Sequence, residues 1–485
     1  MTALPPIKGA ENLPSRWSLT QDLGGYDMPI RLEGEIGDVM VRGTIPDSID
    51  GTFYRVGSDH FTLLFLATVD FKIRYVQNDW YKLERNMKRS VWGDMRDHPV
   101  SQHPCVKAVL TSTSNTNVIY WAGRLLALQE MDPPYAMDPD TLETTGVDPF
   151  GNQILSPTFT AHPKIDSNVD ELVTWGIDHG TNEIISYSID RHENWIVFCQ
   201  WPTSFVDGTT AWDTSRPAVF VVAPRHPEHP LEGSGWEPYE HRMYTHFFNS
   251  EIVHTAGAWE EGSKIFFEGT WPHDSLFPFW PKTDGKKPSE KTVVDLVRLE
   301  IDISQPSNTK VPDPVTLVDI PNEFPRIDER FYCRKYDHIF TNIYHSKTEK
   351  YLMNKHVFEG LNATAMLIKS TGQLKVYYPG PNCRCQEPVF IPRSDNAPEG
   401  DGHVIFAVDR LDINLTNLVI LDTKDFEHPV AVIELPLRMR AQIHGNWVDA
   451  RELNGQPLVV PPPLHHMTWR HRPGQLAPTE TRCRC

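Results

Sequence analysis

Val404-Ile-Phe-Ala-Val408, Leu418-Val-Ile-Leu421 and Ala431-Val-Ile433 follow one another as three short runs of β-branched, aliphatic and aromatic residues. Runs this short, parted by polar and turn-forming residues, read as antiparallel strands. The same signal recurs upstream in Gly51-Thr-Phe-Tyr-Arg-Val56, Asn117-Val-Ile-Tyr-Trp121, Trp195-Ile-Val-Phe198, Ala218-Val-Phe-Val-Val222 and Lys264-Ile-Phe-Phe267. Ala122-Gly-Arg124, Glu261-Gly-Ser263 and Pro379-Gly-Pro381 supply turns between them. One charged amphipathic stretch, Asp79–Ser90, reads as a helix. The pattern predicts an all-β chain of many short strands. Sandwich, barrel and propeller all fit it, and radial repetition is the usual way to close so many strands without exposed edges. No tryptophan–aspartate repeat is visible, so any blades have diverged. No dinucleotide fingerprint and no phosphate-binding loop occurs.

Composition narrows the function. The chain has 485 residues, 39% of them hydrophobic and 11% aromatic, enough for a large core. Its 64 Asp+Glu against 46 Lys+Arg give a net charge of −18, which repels phosphate backbones and argues against a nucleic-acid partner. The first residues lack an apolar stretch of the secretory kind, and no run approaches a transmembrane length. Seven Cys is an odd and sparse count, which fits a reducing cytosol better than a disulfide framework. Two C-x-C pairs, Cys383/Cys385 and Cys483/Cys485, lack zinc-finger spacing and read as inert thiols before a soft-metal clip. No low-complexity linker divides the chain. Residues 1–456 read as one domain and 457–485 as a Pro/Arg-rich C-terminal tail.

Three of the 21 His stand out by context. His162 lies in Ser156-Pro-Thr-Phe-Thr-Ala-His-Pro-Lys-Ile-Asp166, His254 in Glu251-Ile-Val-His-Thr-Ala-Gly-Ala-Trp-Glu-Glu261, and His444 in Gln442-Ile-His-Gly-Asn-Trp-Val-Asp449. Each has a small neighbour (Ala161, Gly257, Gly445) and apolar company, as a constrained site at a strand end requires. They are 92 and 190 residues apart, so they meet only if the fold closes on itself. Glu130, Glu323 and Glu387 lie in similarly uncharged stretches. A buried carboxylate needs a partner, and the outward N–H of a metal-bound imidazole is one. From spacing alone this is weak evidence for a metal: a lone His is usually a surface or satisfied core residue, and three ordinary acids in turns or salt bridges stay open.

Longer motifs add a resemblance. GTFYRVGSDHF (51–61), NTNVIYWAGRLLALQE (115–130), PPYAMDPDTLETTG (133–146), SPTFTAHPKID (156–166), HTAGAWEEGSKIFFEG (254–269), NEFPRIDERF (322–331), VYYPGPNCRCQEPVFIPR (376–393), DGHVIFAVDRLDINLTNLVILD (401–422) and IHGNWVD (443–449) occur in this order. Together they resemble the carotenoid cleavage oxygenases, especially the branch with the lignostilbene and stilbene dioxygenases. The resemblance implies a seven-bladed β-propeller with a cap of loops and short helices over an axial metal site. It implies Fe(2+) held by four His, three of them hydrogen-bonded to Glu. His162, His254 and His444 then look like iron ligands, and Glu130, Glu323 and Glu387 like the acids that orient them. The implied reaction splits a C=C bond of a carotenoid, apocarotenoid or stilbene-like conjugated alkene into two carbonyl products with O2. No organic cofactor is implied.

The sequence also departs from that family. The second His motif should precede Asn194-Trp-Ile-Val-Phe198, but Ile184-Ile-Ser-Tyr-Ser-Ile-Asp190 runs almost directly into Arg191-His-Glu-Asn-Trp195. His192 is the nearest substitute ligand, with His179 and His246 behind it. A second gap follows Asp59-His-Phe-Thr-Leu-Leu64. One or two incomplete blades are therefore expected. In stilbene-cleaving relatives a Lys and a Tyr grip the substrate phenol; Gln129 and Met95 stand at those positions, which favours an apolar polyene over a hydroxystilbene. The aromatic run Trp271-Pro-His-Asp-Ser-Leu-Phe-Pro-Phe-Trp280 suits either an entrance with peripheral membrane contact or ordinary loop packing. The alternative to a dioxygenase is a catalytically impaired propeller that binds a polyene or acts as a scaffold.

Overall fold

The computed structural model describes residues 30–453 and 465–470 except 31, 58–60, 67–68, 89–112, 131, 149, 151–153, 155, 167–170, 179–182, 189–193, 207–208, 226–227, 229–231, 247–251, 278–279, 290–291, 346–360 and 441. The fold is an all-β propeller. Every run expected to be a strand is one: Gly51–Gly57, Asn117–Trp121, Trp195–Gln200, Ala218–Pro224, Lys264–Pro272, Gly402–Arg410, Leu415–Asp422 and Asp425–Glu434 contain them. At the Asn117–Trp121/Arg124–Leu128 turn, Ala122 and Gly123 both have positive φ (49° and 74°), as a tight two-residue hairpin requires. The expected helix is Asp79–Met87. Asn78 caps it by accepting from the Tyr81 N–H, and Lys88 ends it in the left-handed region, two residues short of the expected Ser90.

Three sheets are four-stranded antiparallel meanders that use consecutive chain, over 117–147, 255–318 and 322–377. Core clusters join each sheet to its neighbour. Phe220, Phe267 and Leu299 link the 195–246 sheet to the 255–318 sheet. Ala256, Leu296, Ile339 and Leu367 link that one to the 322–377 sheet. Phe340, Met366, Phe406 and Val419 lead on to the strands of 383–434. Phe53, Phe71, Ile405 and Ile420 lead back to the first sheet. Tyr54, Val56, Val118 and Leu125 join that sheet to 117–147, and Ile119, Phe159 and Leu172 join 117–147 to the next. Trp175 and Phe198, edge-on with ring centroids 6.0 Å apart, join that one to the 195–246 sheet, so the sheets follow one another around a closed ring.

Strands far apart in the sequence fasten that ring. Gln442–Asp449 pairs antiparallel with Gly51–Gly57, and Val41–Gly43 pairs with Asp425–Glu434. Across the gap after Leu64 the sheet is continuous, because Phe61–Leu66 pairs with Gly51–Gly57 on one side and Val69–Arg74 on the other.

The gap near Asp190 leaves a mark. The sheet of Trp195–Gln200, Ala218–Pro224 and Arg242–His246 has three strands, with a separate hairpin Thr203–Val206/Thr209–Trp212. The preceding sheet, Lys164–Asp166, Glu171–Asp178 and Glu183–Ser188, takes its fourth strand from the far end of the chain, His465–Arg470. The described aromatic residues of the run Trp271–Trp280 pack on one another and on the core. Trp271 is buried in the core, and Phe277 and Trp280 pack on each other and on Trp201. Cys383 and Cys385 are buried among Phe340, Phe390 and Phe406, and burial pushes both thiols up, away from the reactive thiolate. Cys483 and Cys485 lie outside the described residues. Among the described residues, no helix is long and apolar enough to cross a membrane.

Candidate metal centre

The three singled-out histidines arrive from separate parts of the ring. His162 lies two residues before the strand Lys164–Asp166, His254 immediately precedes Thr255–Glu261, and His444 lies within Gln442–Asp449. Each offers a ring nitrogen within 4.8 Å of the others, and they form the group of potential metal ligands found among the described residues. Ring centroids are 4.8 Å (His254–His444), 4.9 Å (His162–His444) and 5.7 Å (His162–His254) apart. The small neighbours have their expected cause. A Cβ on Gly445 would meet the Tyr54 carbonyl at 2.6 Å, and one on Gly257 would meet the Tyr336 ring at 2.6 Å. Ala161 is fully buried and its carbonyl accepts from Asn117 Nδ2 at 2.8 Å.

Two acids orient two of the rings. His254 Nδ1 lies 2.6 Å from Glu323 Oε2, and His444 Nδ1 lies 2.8 Å from Glu387 Oε1. With Nδ1–H donating to carboxylate, each ring turns Nε2 toward the centre. His444 Nε2 is buried and has no hydrogen-bond partner. An orphaned imidazole nitrogen is costly unless something with a vacant orbital completes it. The donor set therefore fits a divalent transition metal.

The acids are themselves held. Glu323 is fully buried, accepts from Thr270 Oγ1 at 2.9 Å, and also accepts from the Phe324 N–H. Phe324 sits at φ +59°, rare for a bulky residue, where the pairing of Asn322–Arg326 slips register. The bulge aims the glutamate inward and sets the Phe324 ring 5.0 Å from that of His254. Glu387 accepts from the Gly445 N–H at 3.0 Å and pairs with Arg326 Nη1 at 3.2 Å. Burial opposes its ionisation, but His444, Arg326 and Arg55 outweigh that and hold the carboxyl well below the usual range. Burial likewise drives His444 down to about 3, so its ring is neutral and available as a ligand. For His254, burial works against protonation but Glu323 prevails and raises it.

Glu130 differs. Its carboxylate is 3.4 Å from His162 Nε2, not Nδ1. Its side chain is 45% exposed. Burial disfavours its charge, and His162 with His444 more than compensates, so it is ionised.

Other expected residues fall elsewhere. Gln129 is buried beside Glu130. His246 is buried, with Nε2 3.2 Å from Asp313 Oδ1 and its ring edge-on to Trp271, and does not join the cluster. His179, His192 and Met95 lie outside the described residues. Sequence reasoning missed Thr270, Arg326 and Arg55, which support the acids. Arg55 carried a readable signal, since it is a lone charge inside an otherwise uncharged strand run. Its guanidinium is buried, and it donates to the Glu387 carbonyl at 3.1 Å and to Gln442 Oε1 at 3.1 Å.

The model of the family described as retinal pigment epithelial membrane protein matches residues 28–449. The chain is 40% identical to "Resveratrol cleavage oxygenase 1" of Botryotinia fuckeliana, over 93% of this chain and 90% of that one. It is 34% identical to "Carotenoid cleavage oxygenase 1" of Neurospora crassa, over 93% and 95%. Among solved structures, the Pseudomonas brassicacearum lignostilbene dioxygenase superposes with a TM-score of 0.80 at 29% identity, covering 89% of this chain and 99% of that one. The matched span runs through all three histidines and their supporting acids, and the chain belongs to the carotenoid cleavage oxygenases, the family of the retinal pigment epithelial membrane protein.

Proposed function

We propose that the chain is a non-haem Fe(II)-dependent dioxygenase that cleaves a C=C bond of a conjugated alkene, of the carotenoid, apocarotenoid or stilbene-like class, into two carbonyl products. One observation carries the reading: imidazoles from positions 162, 254 and 444 converge within 4.8 Å. Two of them are pinned by carboxylates, and the inward nitrogen of His444 has no partner. His162, His254 and His444 would hold the ion; when bound, Fe(II) would supply open positions at which O2 is activated, while the alkene supplies the electrons. The chain's own part is positioning. Glu323 and Glu387 fix ring orientation, Thr270 and Arg326 fix the acids, and Phe324 walls one side of the centre. The seven-bladed form belongs to the same proposal; among the described residues, seven sheets have three or more strands. The cap over the axial site and the single domain over 1–456 belong to the same proposal.

Purified protein reconstituted with Fe(II) is expected to bind it stoichiometrically, to bleach a polyene such as an apocarotenal in an O2-dependent manner, and to yield two carbonyl fragments. A stilbene in the same assay ranks the substrate classes, with Gln129 favouring the less polar one. A second reading, a polyene-binding or scaffold propeller, is favoured by the three-stranded 195–246 sheet. Retained polyene binding with no iron uptake is its signature and would overturn the oxygenase.

A further inference from the structure

His444 lies at an irregularity in the strand that closes the ring. Gly51–Gly57 and Gln442–Asp449 pair Arg55 with Gly445 and Gly57 with Gln442, so Val56 alone stands opposite both Ile443 and His444. The later strand bulges by one residue, and His444 sits in the bulge. A bulge bends its strand and re-aims a side chain, and it leaves backbone groups without a ladder partner that must be satisfied elsewhere.

Arg55 supplies such partners. Its side chain is 2% exposed. Nη2 donates to the carbonyls of Gln442 and Ile443, both at 3.3 Å, on the two peptides that lead into His444. Nη1 donates to the Glu387 carbonyl and Nε to Gln442 Oε1, both at 3.1 Å. Nη2 also reaches Gln386 Oε1 at 3.4 Å. One guanidinium thus grips the backbone before His444 and the backbone of Glu387, the two residues whose side chains pair at 2.8 Å. Gly445 leaves it room, since a Cβ there would meet Arg55 Cγ at 2.7 Å.

Stability is a poor reason to place a charge here. Every one of these acceptors is a neutral oxygen. A buried cation so held gains less than a well-packed apolar side chain, and the adjacent Tyr54 and Val56 are fully buried in that way. The fully buried Asp409 is linked to it through Gln386, whose Nε2 donates to Asp409 Oδ2 at 2.6 Å. What a guanidinium does offer is a rigid planar fork of N–H donors that holds several carbonyls in one arrangement. The ammonium of a lysine, with its donors at one point, does not.

We infer that Arg55 is a positioning residue for the metal centre: it fixes the bulge that aims His444 and ties that bulge to Glu387. This inference rests on the metal-centre reading above, and it adds a residue that acts through the backbone rather than at the ion.

The test reads the full-length, metal-free protein by amide hydrogen exchange, and the same protein loaded with Co(II) by its visible d–d spectrum. Arg55→Lys keeps the charge and loses the fork. It should speed exchange over 442–446 relative to 402–410, weaken Co(II) uptake about tenfold, and shift the d–d bands at saturation. Leu299→Ala, destabilised between two other sheets, controls for general loosening and should keep the parent's bands. Parent-like exchange over 442–446, or parent-like bands at saturation, makes Arg55 a packing residue and overturns the inference. A band shift of equal size in Leu299→Ala overturns it too. If Arg55→Lys yields no folded protein, Gln442→Met, which removes the acceptor of Arg55 Nε, takes its place under the same criteria. Should the parent chain take up no more Co(II) than His254→Ala does, the metal-centre reading itself falls and the positioning role with it, a result that the exchange data keep distinct from the others.

Discussion

At the scale of single residues, the proposed metal centre depends on nitrogen lone pairs kept free and aimed. His254→Ala removes one donor while leaving Glu323 hydrogen-bonded to Thr270 and the Phe324 N–H. It is expected to abolish iron retention in a protein whose circular dichroism is unchanged; full iron content after desalting would discard the assignment. Glu387→Gln keeps the shape but loses the charge that Arg326 and His444 share, and iron affinity should fall about 10–100-fold. A pH effect is expected away from the centre. His403 is buried, with burial lowering its pKa below the ordinary value and Asp422 only partly restoring it. Its neutral form is favoured by the fold, so its contribution is complete above the unfolded pKa of about 6.5 and is lost as pH falls below that. The loss is at most about 1.4 kcal/mol per pH unit. In urea unfolding, His403→Gln should narrow the stability difference between pH 7 and pH 5.5; an unchanged difference excludes His403 as its source. Small and uncharged neighbours singled out His162, His254 and His444, which meet in the structure, but a role for them and for Glu130, Glu323 and Glu387 came only from the resemblance. Thr270 and Arg326 were not singled out, because an ordinary strand threonine or arginine carries no local sign of what lies across the axis.

At the scale of elements, strand positions were legible and their partners were not. Short β-branched and aromatic runs bounded by turn residues locate Gly402–Arg410 or Asn117–Trp121, but nothing within Gln442–Asp449 says that it pairs with Gly51–Gly57. The irregular pairing at Asn322–Arg326 was likewise hidden, since the left-handed residue there is Phe324, which no turn rule selects. Close backbone approach makes the terminal pairing sensitive. Gly445→Ala pushes a methyl against the Tyr54 carbonyl and Arg55 Cγ at 2.6 and 2.7 Å. It should cost about 1–3 kcal/mol in urea unfolding and reduce iron retention by displacing His444. Parent-like stability would show that the two strands can move apart at no cost.

At the scale of the whole molecule, stability is shared among the interfaces between neighbouring sheets. Phe340 is fully buried and stacks on Phe390 at 5.1 Å, joining two successive sheets. Phe340→Ala should therefore cost about 3–5 kcal/mol in a single cooperative unfolding transition. A separate early transition would mean that sheets unfold one at a time. The closing pair of strands has a consequence in time. His444 is made after His162 and His254, and its strand pairs with Gly51–Gly57, made before all three. A ribosome-bound chain has at most two of the three imidazoles until residue 444 emerges. Loading by all three must then wait for that strand, and a product that terminates before it lacks the third imidazole.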